Sequence, residues 1–188
     1  ILQLERTGRE KFELVRIIDE ISGNVETKTL ASPSDIAVTE EGNIFIADTN
    51  NGRVLKVDED LNYLLEFNKP EDSTLNPDLV FQPTKLAVDT AGRVYCIASG
   101  INKGLIKYEA DGTFSGFVGA SKVTFNWTDY IWKRLATAEQ RAQMESFVPT
   151  EYDNIYIDYE GFIYACTGRV EEADLDSGDA DAIRKLNL

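Results

Sequence analysis

Histidine is absent from this 188-residue chain, and cysteine, methionine and proline are scarce, with 2, 1 and 5 residues. Without histidine the chain has no Ser-His or Cys-His nucleophile system, and it lacks the commonest general base and zinc ligand. No apolar run reaches the roughly 18–20 residues of a membrane span. These absences argue against common hydrolase, zinc-protein and membrane-spanning classes, and we expect no transmembrane segment in this chain.

Positive charge is also in short supply. Lys and Arg total 19 against 33 Asp and Glu, which gives a formal charge of −14. Affinity for nucleic acid depends on cations that displace counterions from phosphates, so we expect no nucleic-acid partner. The same charge disfavours anionic lipid and favours a neutral or basic partner. Hydrophobic residues make up 43% of the chain, which is typical of a globular protein with a sizeable core.

The two cysteines, Cys96 and Cys166, lie in apolar, strand-like runs. We favour buried thiols that pack as small hydrophobes, with a disulfide and a reactive thiol as the alternatives. The chain begins at Ile1 and its only methionine is Met144. We therefore expect the natural start to lie outside this chain, and the compartment stays open on these residues alone.

A repeated segment dominates what is present. Pro33 and Pro83 are each followed nine residues later by glycine, and Gly42 and Gly92 are 50 residues apart. A third copy begins at Pro149 with three extra residues before its first strand. Each copy predicts a strand, a tight turn that ends in glycine, and a β-branched or aromatic second strand. The predicted turns are 39–42, 89–92 and 158–161.

Third and fourth strands are predicted in the first two copies, at 53–57, 63–67, 105–108 and 113–118. Four antiparallel strands repeated in tandem are typical of a β-propeller blade. The fold class is therefore all-β, with about three blades, or half of a six-bladed ring. The predicted parts are an outer strand of a preceding blade in 1–29, blades at 30–82 and 83–148, and an incomplete blade at 149–188.

The first copy resembles an NHL repeat. Its strand Pro33–Val38, the run Ile44–Asp48 and the loop Thr49–Asn51 before Arg53 match the pattern of that family nearly throughout. The resemblance implies a propeller and leaves the function open among scaffolds, RNA binders, lactonases and lyases. Likeness to bacterial propellers attached to exported proteins implies an extracytoplasmic location. The second copy departs from the pattern after Ile97.

Two insertions interrupt the repeats. Residues 122–147 carry an apolar stripe at helical spacing and a capping-box pattern, which predict two short helices over 128–135 and 138–146. We expect this insertion to cover a blade edge or one face, with a partner-binding helix as the alternative. Residues 68–82 contain two prolines and predict an extended loop.

The predicted number of blades is too small to close a propeller ring. Closed propellers have typically about four to eight blades, and open repeat edges present unpaired backbone and apolar faces. We therefore expect either a fragment of a longer chain or a homodimer that completes the ring.

Two polar clusters are candidates for chemistry. The loop residues Asp48, Asn50, Asn51 and Arg53 are predicted either to lock their turn or to contact a ligand at one propeller face. The acidic run 171–181 holds six carboxylates and makes a Ca²⁺ site possible, although the EF-hand pattern fails and a solvated loop is favoured.

We expect tyrosines of the third copy to fill the core between blades, with an exposed carbohydrate or peptide platform as the alternative. The residues are Tyr152, Tyr156, Tyr159 and Tyr164.

The leading functional hypothesis is a non-enzymatic module that binds a protein or small ligand through one face. The alternative is a fragment of a metal-dependent lactonase or hydrolase. Such a propeller would hold its metal with oxygen ligands from several blades, and the candidates are Asp35, Asn43, Asp89 and Asp158. We assign no catalytic residue and leave the cofactor open.

Overall fold

The computed structural model describes residues 1–119, 152–168 and 182–187. Within these ranges the regular secondary structure is β-strand, apart from a short 3₁₀ turn at Thr49–Asn51. The strands are β1 Leu2–Arg6, β2 Phe12–Ile17, β3 Pro33–Val38, β4 Ile44–Asp48, β5 Arg53–Val57, β6 Tyr63–Phe67, β7 Pro83–Val88, β8 Val94–Ala98, β9 Leu105–Tyr108, β10 Phe114–Val118, β11 Asn154–Ile157, β12 Ile163–Cys166 and β13 Ile183–Leu186.

Two four-stranded antiparallel sheets form as predicted. Sheet I has the order β3-β4-β5-β6 and sheet II the order β7-β8-β9-β10, so neighbours in sequence are neighbours in space. Pro33 and Pro83 begin the first strand of each sheet, where a missing N–H costs least. Sheet III pairs β11, β12 and β13 in the same manner.

The predicted turns are confirmed. The amide N–H groups of Gly42, Gly92 and Gly161 donate to carbonyls three residues earlier, at 2.9–3.0 Å. Their φ angles are 83°, 77° and 85°, a left-handed backbone that glycine adopts without a steric penalty. Each turn therefore joins the first two strands of its sheet in a tight hairpin.

The sheets pack face to face because successive side chains along a strand point to opposite faces. Phe45 and Ala47 of β4 lie in a core with Leu86 of β7 and Cys96 of β8, between sheets I and II. Tyr95, the residue next to Cys96, lies in the following core between sheets II and III. We call the face of a sheet toward the next sheet its front face and the opposite one its back face. This sequential face-to-face packing is propeller-like.

The N-terminal part forms two strands where we predicted one. β1 and β2 pair with each other in a separate two-stranded sheet, and every residue in both strands is exposed. The chain then turns inward, and Ile18 and Ile21 pack against Ile46 and Leu55 on the back face of sheet I. The segment between β2 and β3 therefore covers part of the back face of sheet I.

The two insertions differ in what is described. Residues 68–82 contain no strand or helix, and their turns are held by Asp72 and Asn76, as the predicted loop requires. The predicted helices at 128–135 and 138–146 lie outside the described residues, as does the acidic run 171–181.

The tyrosines of the third copy differ in burial. Tyr152 is buried in the core between sheets II and III, as expected, whereas Tyr156 and Tyr159 are 65% and 92% exposed in the described part of the chain.

Within the described residues, no helix is long and apolar enough to cross a membrane. The number of blades and the closure of a ring stay predictions.

Both cysteines are free thiols. Cys96 is fully buried between sheets I and II, and burial raises the pKa of its thiol. Cys166 is half-buried in β12. The interpretation as a small buried hydrophobe is confirmed for Cys96.

Candidate functional site

The loop between β4 and β5 holds all four residues that we proposed as contacts at a propeller face. Asp48 ends β4, Asn50 and Asn51 belong to the 3₁₀ turn, and Arg53 begins β5. Gly52 follows the turn with a left-handed backbone, and its N–H donates to the Thr49 carbonyl at 3.1 Å. Asp48 and Arg53 are paired across the two strands, so the residues between them reverse the chain.

Asp48 and Arg53 form a buried ion pair. The Nε of Arg53 lies 3.0 Å from Oδ2 of Asp48, and the exposed fractions of the two residues are 4% and 0%. Arg53 also donates to a Glu66 carboxylate oxygen at 3.3 Å and to the Thr27 carbonyl at 2.5 Å. A buried guanidinium requires such a set of acceptors because an unpaired buried charge is very costly.

The carboxylate of Asp48 is equally occupied. Its Oδ1 accepts the backbone N–H of Ala31 at 2.7 Å, and its Oδ2 also accepts the Asn51 side-chain amide at 2.8 Å. The Asn51 amide donates in addition to the Thr29 carbonyl at 2.8 Å. Asp48 therefore ties the loop to the segment that leads into β3, which is the turn-locking role, one of the two roles predicted from the sequence.

Asn50 is the exposed member of the four. Its side-chain amide donates to the Ser32 hydroxyl at 2.8 Å, and Ser32 has a positive φ of 52°. Asn51 is half-buried. The structure thus brings all four predicted residues together, buries the two charged ones and leaves an amide at the surface.

Ser34 and Thr49 belong to the same surface, and we did not single them out from the sequence. The Thr49 hydroxyl donates to Ser34 Oγ at 2.7 Å and lies 2.8 Å from the Pro83 carbonyl, while the Ser34 hydroxyl donates to the Thr84 carbonyl at 2.9 Å. These contacts join the loop of sheet I to the start of sheet II. The available signal for Ser34 was a hydroxyl residue directly after proline in all three copies of the repeat.

The equivalent loop of sheet II is built differently. Ala98 stands at the position of Asp48, and Ile101 is buried in the core between sheets I and II. The ammonium of Lys103 lies 4.0 Å from the Asp72 carboxylate and 5.5 Å from the centre of the Phe117 ring. The departure from the family pattern after Ile97 therefore replaces a buried ion pair by apolar packing.

Three of the candidate metal ligands bond to nearby backbone. Asp35 accepts the N–H of Leu86 at 3.0 Å and so links β3 to β7. Asp89 accepts the N–H groups of Ala91 and Arg93, and Asp158 makes the equivalent bonds in its own turn. Among the described residues no group of three or more Cys, Asp or Glu side chains could hold a metal ion.

We expect Gly52→Ala to destabilise the protein more than Gly161→Ala. Both glycines have a positive φ, at 67° and 85°, so alanine costs about 1 kcal/mol of backbone strain at either site. A Cβ at Gly52 would also lie 3.0 Å from the Phe81 carbonyl oxygen, whereas the space around Gly161 is open. Urea unfolding followed by circular dichroism measures the difference, for which we expect about 1 kcal/mol or more. Equal losses of stability in the two variants would contradict the predicted clash between a Cβ at position 52 and the Phe81 carbonyl oxygen.

Tyr95 predicts a loss of stability at alkaline pH. Burial raises the pKa of its phenol to about 12, and the neighbouring Asp89 carboxylate adds to the rise. The unfolded phenol titrates near its ordinary pKa of about 10, so the stability from Tyr95 is complete below that pH and is lost as the pH rises toward 12. Urea midpoints measured across this interval should fall less steeply for Tyr95→Phe than for the wild type. Identical slopes would exclude the contribution.

Taken together, the sheets, their hairpin turns and the locked loop define a propeller-like array of antiparallel blades. Residues 30–57 match the family model of the NHL repeat. The matched segment contains β3, β4, the ion-paired loop and β5, so the chain carries an NHL repeat and the resemblance predicted from the sequence is confirmed. No curated protein matches the chain.

Proposed function

We propose that this chain is a non-enzymatic, NHL-type propeller module that binds a protein or small ligand at the end of the sheets where β3 and β7 begin. The observation that carries the proposal is the loop after β4, where a buried Asp48–Arg53 pair anchors a turn that exposes Asn50. A surface loop on a rigid framework is a common form of binding site, because little conformational entropy is lost on contact.

The contact residues of this proposal are the exposed polar groups around the loop. Asn50 and Ser34 are exposed, and Thr49 is half-buried between them and the start of sheet II. Asp48 and Arg53 act as positioning residues, since their polar atoms are already bonded within the protein. The net charge of −14 favours a neutral or basic partner over an acidic one.

An array of peptides graded from acidic to basic tests the proposal. We expect the wild type to retain neutral and basic peptides and to lose the basic ones as salt is raised, because exposed charges are screened. Asn50→Lys places a cation at the loop and should weaken the basic peptides, whereas Ser115→Lys places the same charge on the outer strand β10 and serves as the control. Equal losses in the two variants, or no retained peptide, would count against this site.

The alternative, a metal-dependent lactonase or hydrolase, predicts a different result. A Ca²⁺ site that holds the sheets together would stabilise the folded state by ligand linkage. We expect added Ca²⁺ and a chelator to leave the melting temperature unchanged in differential scanning fluorimetry. A rise with Ca²⁺ that the chelator reverses would favour the enzyme and would direct attention to oxygen ligands of the complete chain.

A further inference from the structure

We propose that Asn51, in the loop after β4, is a site of spontaneous deamidation that the folded loop protects, and that the modified loop cannot regain its native bonds. The observations are the Asn51-Gly52 sequence and the hydrogen bonds that hold both residues. This chemical change needs no ligand at the loop, so it is independent of the binding proposed above.

Asn51 is the only asparagine in this chain that is followed by glycine. Deamidation begins when the backbone nitrogen of the next residue attacks the side-chain carbon of asparagine. Glycine permits this approach best, because it has no side chain and adopts most backbone conformations. Asn50 is followed by Asn51 and provides an adjacent comparison in the same loop. In an open chain, Asn51 is therefore the asparagine that we expect to react first.

The reaction consumes water and needs no other reagent. The Gly52 nitrogen loses its proton and bonds to Cγ of Asn51, while the bond from Cγ to Nδ2 breaks and the amide nitrogen leaves with a proton as ammonia. Water then opens the cyclic imide at one of the two bonds to the Gly52 nitrogen. Cleavage at Cγ gives aspartate, and cleavage at the backbone carbonyl carbon gives isoaspartate. An amide and water thus become a carboxylate and ammonium, and no atom is oxidised or reduced.

The side chain that would react is held by two hydrogen bonds. The Asn51 amide donates to Oδ2 of Asp48 and to the Thr29 carbonyl, each at 2.8 Å. Asp48 is itself fully buried and fixed by its ion pair with Arg53 at 3.0 Å. Release of Nδ2 as ammonia gives up both bonds of the amide, so the native contacts oppose this step.

The attacking nitrogen is occupied as well. The Gly52 N–H donates to the Thr49 carbonyl at 3.1 Å, and this bond must break before the nitrogen can lose its proton. Gly52 also packs closely, since a Cβ on it would lie 3.0 Å from the Phe81 carbonyl oxygen. The reaction therefore proceeds from an opened loop, and the free energy of local opening controls its rate.

The product does not fit the native loop. Aspartate at position 51 has no N–H to donate, and its carboxylate would face Oδ2 of Asp48 and the Thr29 carbonyl oxygen, which now accept from the Asn51 amide. Neighbouring carboxylates repel each other, and acceptors that lose their donor are costly when buried. Isoaspartate lengthens the main chain in a turn that pairs Asp48 with Arg53 across two strands. Deamidation thus favours the open loop and makes the opening irreversible.

Peptide mapping by mass spectrometry, after incubation at mildly alkaline pH, measures the modification at each asparagine. In guanidinium chloride we expect the unfolded wild type to react faster at Asn51 than at Asn50. The folded wild type should react at Asn51 at least about tenfold more slowly than the unfolded chain. Equal rates in the folded and unfolded wild type, or no preference for Asn51 in the unfolded chain, would overturn the proposal.

Variants then test whether the bonds of the loop provide the protection. Asp48→Ala removes one acceptor of the Asn51 amide and the buried partner of Arg53, so it should speed the reaction in the folded protein. Glu13→Ala removes an exposed ion pair on β2 and should leave the rate unchanged. Circular dichroism establishes that each variant is folded, and the comparison of folded with unfolded wild type depends on no variant. A folded Asp48→Ala protein that reacts at the wild-type rate would contradict the proposed protection.

Two further variants test whether the loop rejects the product. Asn51→Asp reproduces the aspartate form, and Asn50→Asp makes the same change at the exposed neighbour, where the Ser32 hydroxyl can donate to the new carboxylate. We expect the urea midpoint to fall for Asn51→Asp and to change little for Asn50→Asp, since surface substitutions usually have small effects. Equal midpoints would mean that the loop accepts the carboxylate, contrary to the proposal.

Discussion

Replacing Asp48 by alanine should lower the free energy of unfolding by about 3–5 kcal/mol, the loss expected when one partner of a buried ion pair is removed. The variant leaves the guanidinium of Arg53 buried with Glu66 as its remaining carboxylate partner. It also removes the acceptor of the Ala31 N–H and one of the two acceptors of the Asn51 amide. The loop should then lose its fixed conformation. Urea unfolding followed by circular dichroism measures the loss.

A double variant separates the ion pair from the packing around it. Asp48→Ala combined with Arg53→Met removes both charges and should cost less than the sum of the two single changes, because neither charge is left alone. The exposed pair Lys11–Glu13, with side chains 71% and 57% exposed, is the matched control. Glu13→Ala should change stability little. If Asp48→Ala lowered the free energy of unfolding no more than Glu13→Ala does, the role of the Asp48–Arg53 pair in holding the loop would be contradicted.

Phe67→Ala should be equally costly, at about 3–5 kcal/mol, because it opens a cavity in a closed core. Phe67 is fully buried, and its ring centre lies 6.1 Å from that of Phe45 and 5.6 Å from that of Tyr108. The row of rings continues through Phe114 and Phe117. It therefore connects sheet I to the outer strand of sheet II.

Phe12→Ala is the matched control for this core, since Phe12 lies on β2 and is 59% exposed. The two changes remove the same atoms, and burial alone should separate their effects in urea unfolding. Phe67→Leu, which keeps part of the volume, should lie between Phe67→Ala and the wild type. Comparable losses for Phe67→Ala and Phe12→Ala would mean that the sheets do not share a continuous core.

Much of the fold could be predicted because its determinants are local. Proline before an apolar run begins a strand, and glycine with a positive φ ends the turn, so the hairpins at Gly42, Gly92 and Gly161 follow from residue type alone. The third and fourth strands of sheets I and II begin within one residue of their predicted positions. The N-terminal part lacks this pattern of proline before a strand and positive-φ glycine at a turn, and there one strand was predicted and two are present.

The sequence predicted the loop that forms the candidate site, but it did not predict which residues surround that loop and bond to it. The polar run from Asp48 to Arg53 is visible in the chain, but its burial comes from Thr27, Ala31 and Glu66, which belong to other segments. Likewise, the bonds from Ser34 and Thr49 to the start of β7 join residues far apart in sequence. Only the packed sheets determine which polar groups are occupied and which face the solvent.

The repeat, with its prolines at strand starts and its glycines at turn ends, is a property of the sequence by itself, and it determines an all-β chain of blade-like sheets. The scarcity of histidine and of positive charge is also a property of the sequence, and it bears on the function classes and partners. The tertiary structure decided the rest, because the environment of a side chain depends on what packs against it. Phe45, Tyr95 and Tyr164 occupy equivalent positions, yet the first two are buried and the third is only half-buried. Among the described residues, a following sheet packs on the first two and not on the third, and no local pattern records this difference.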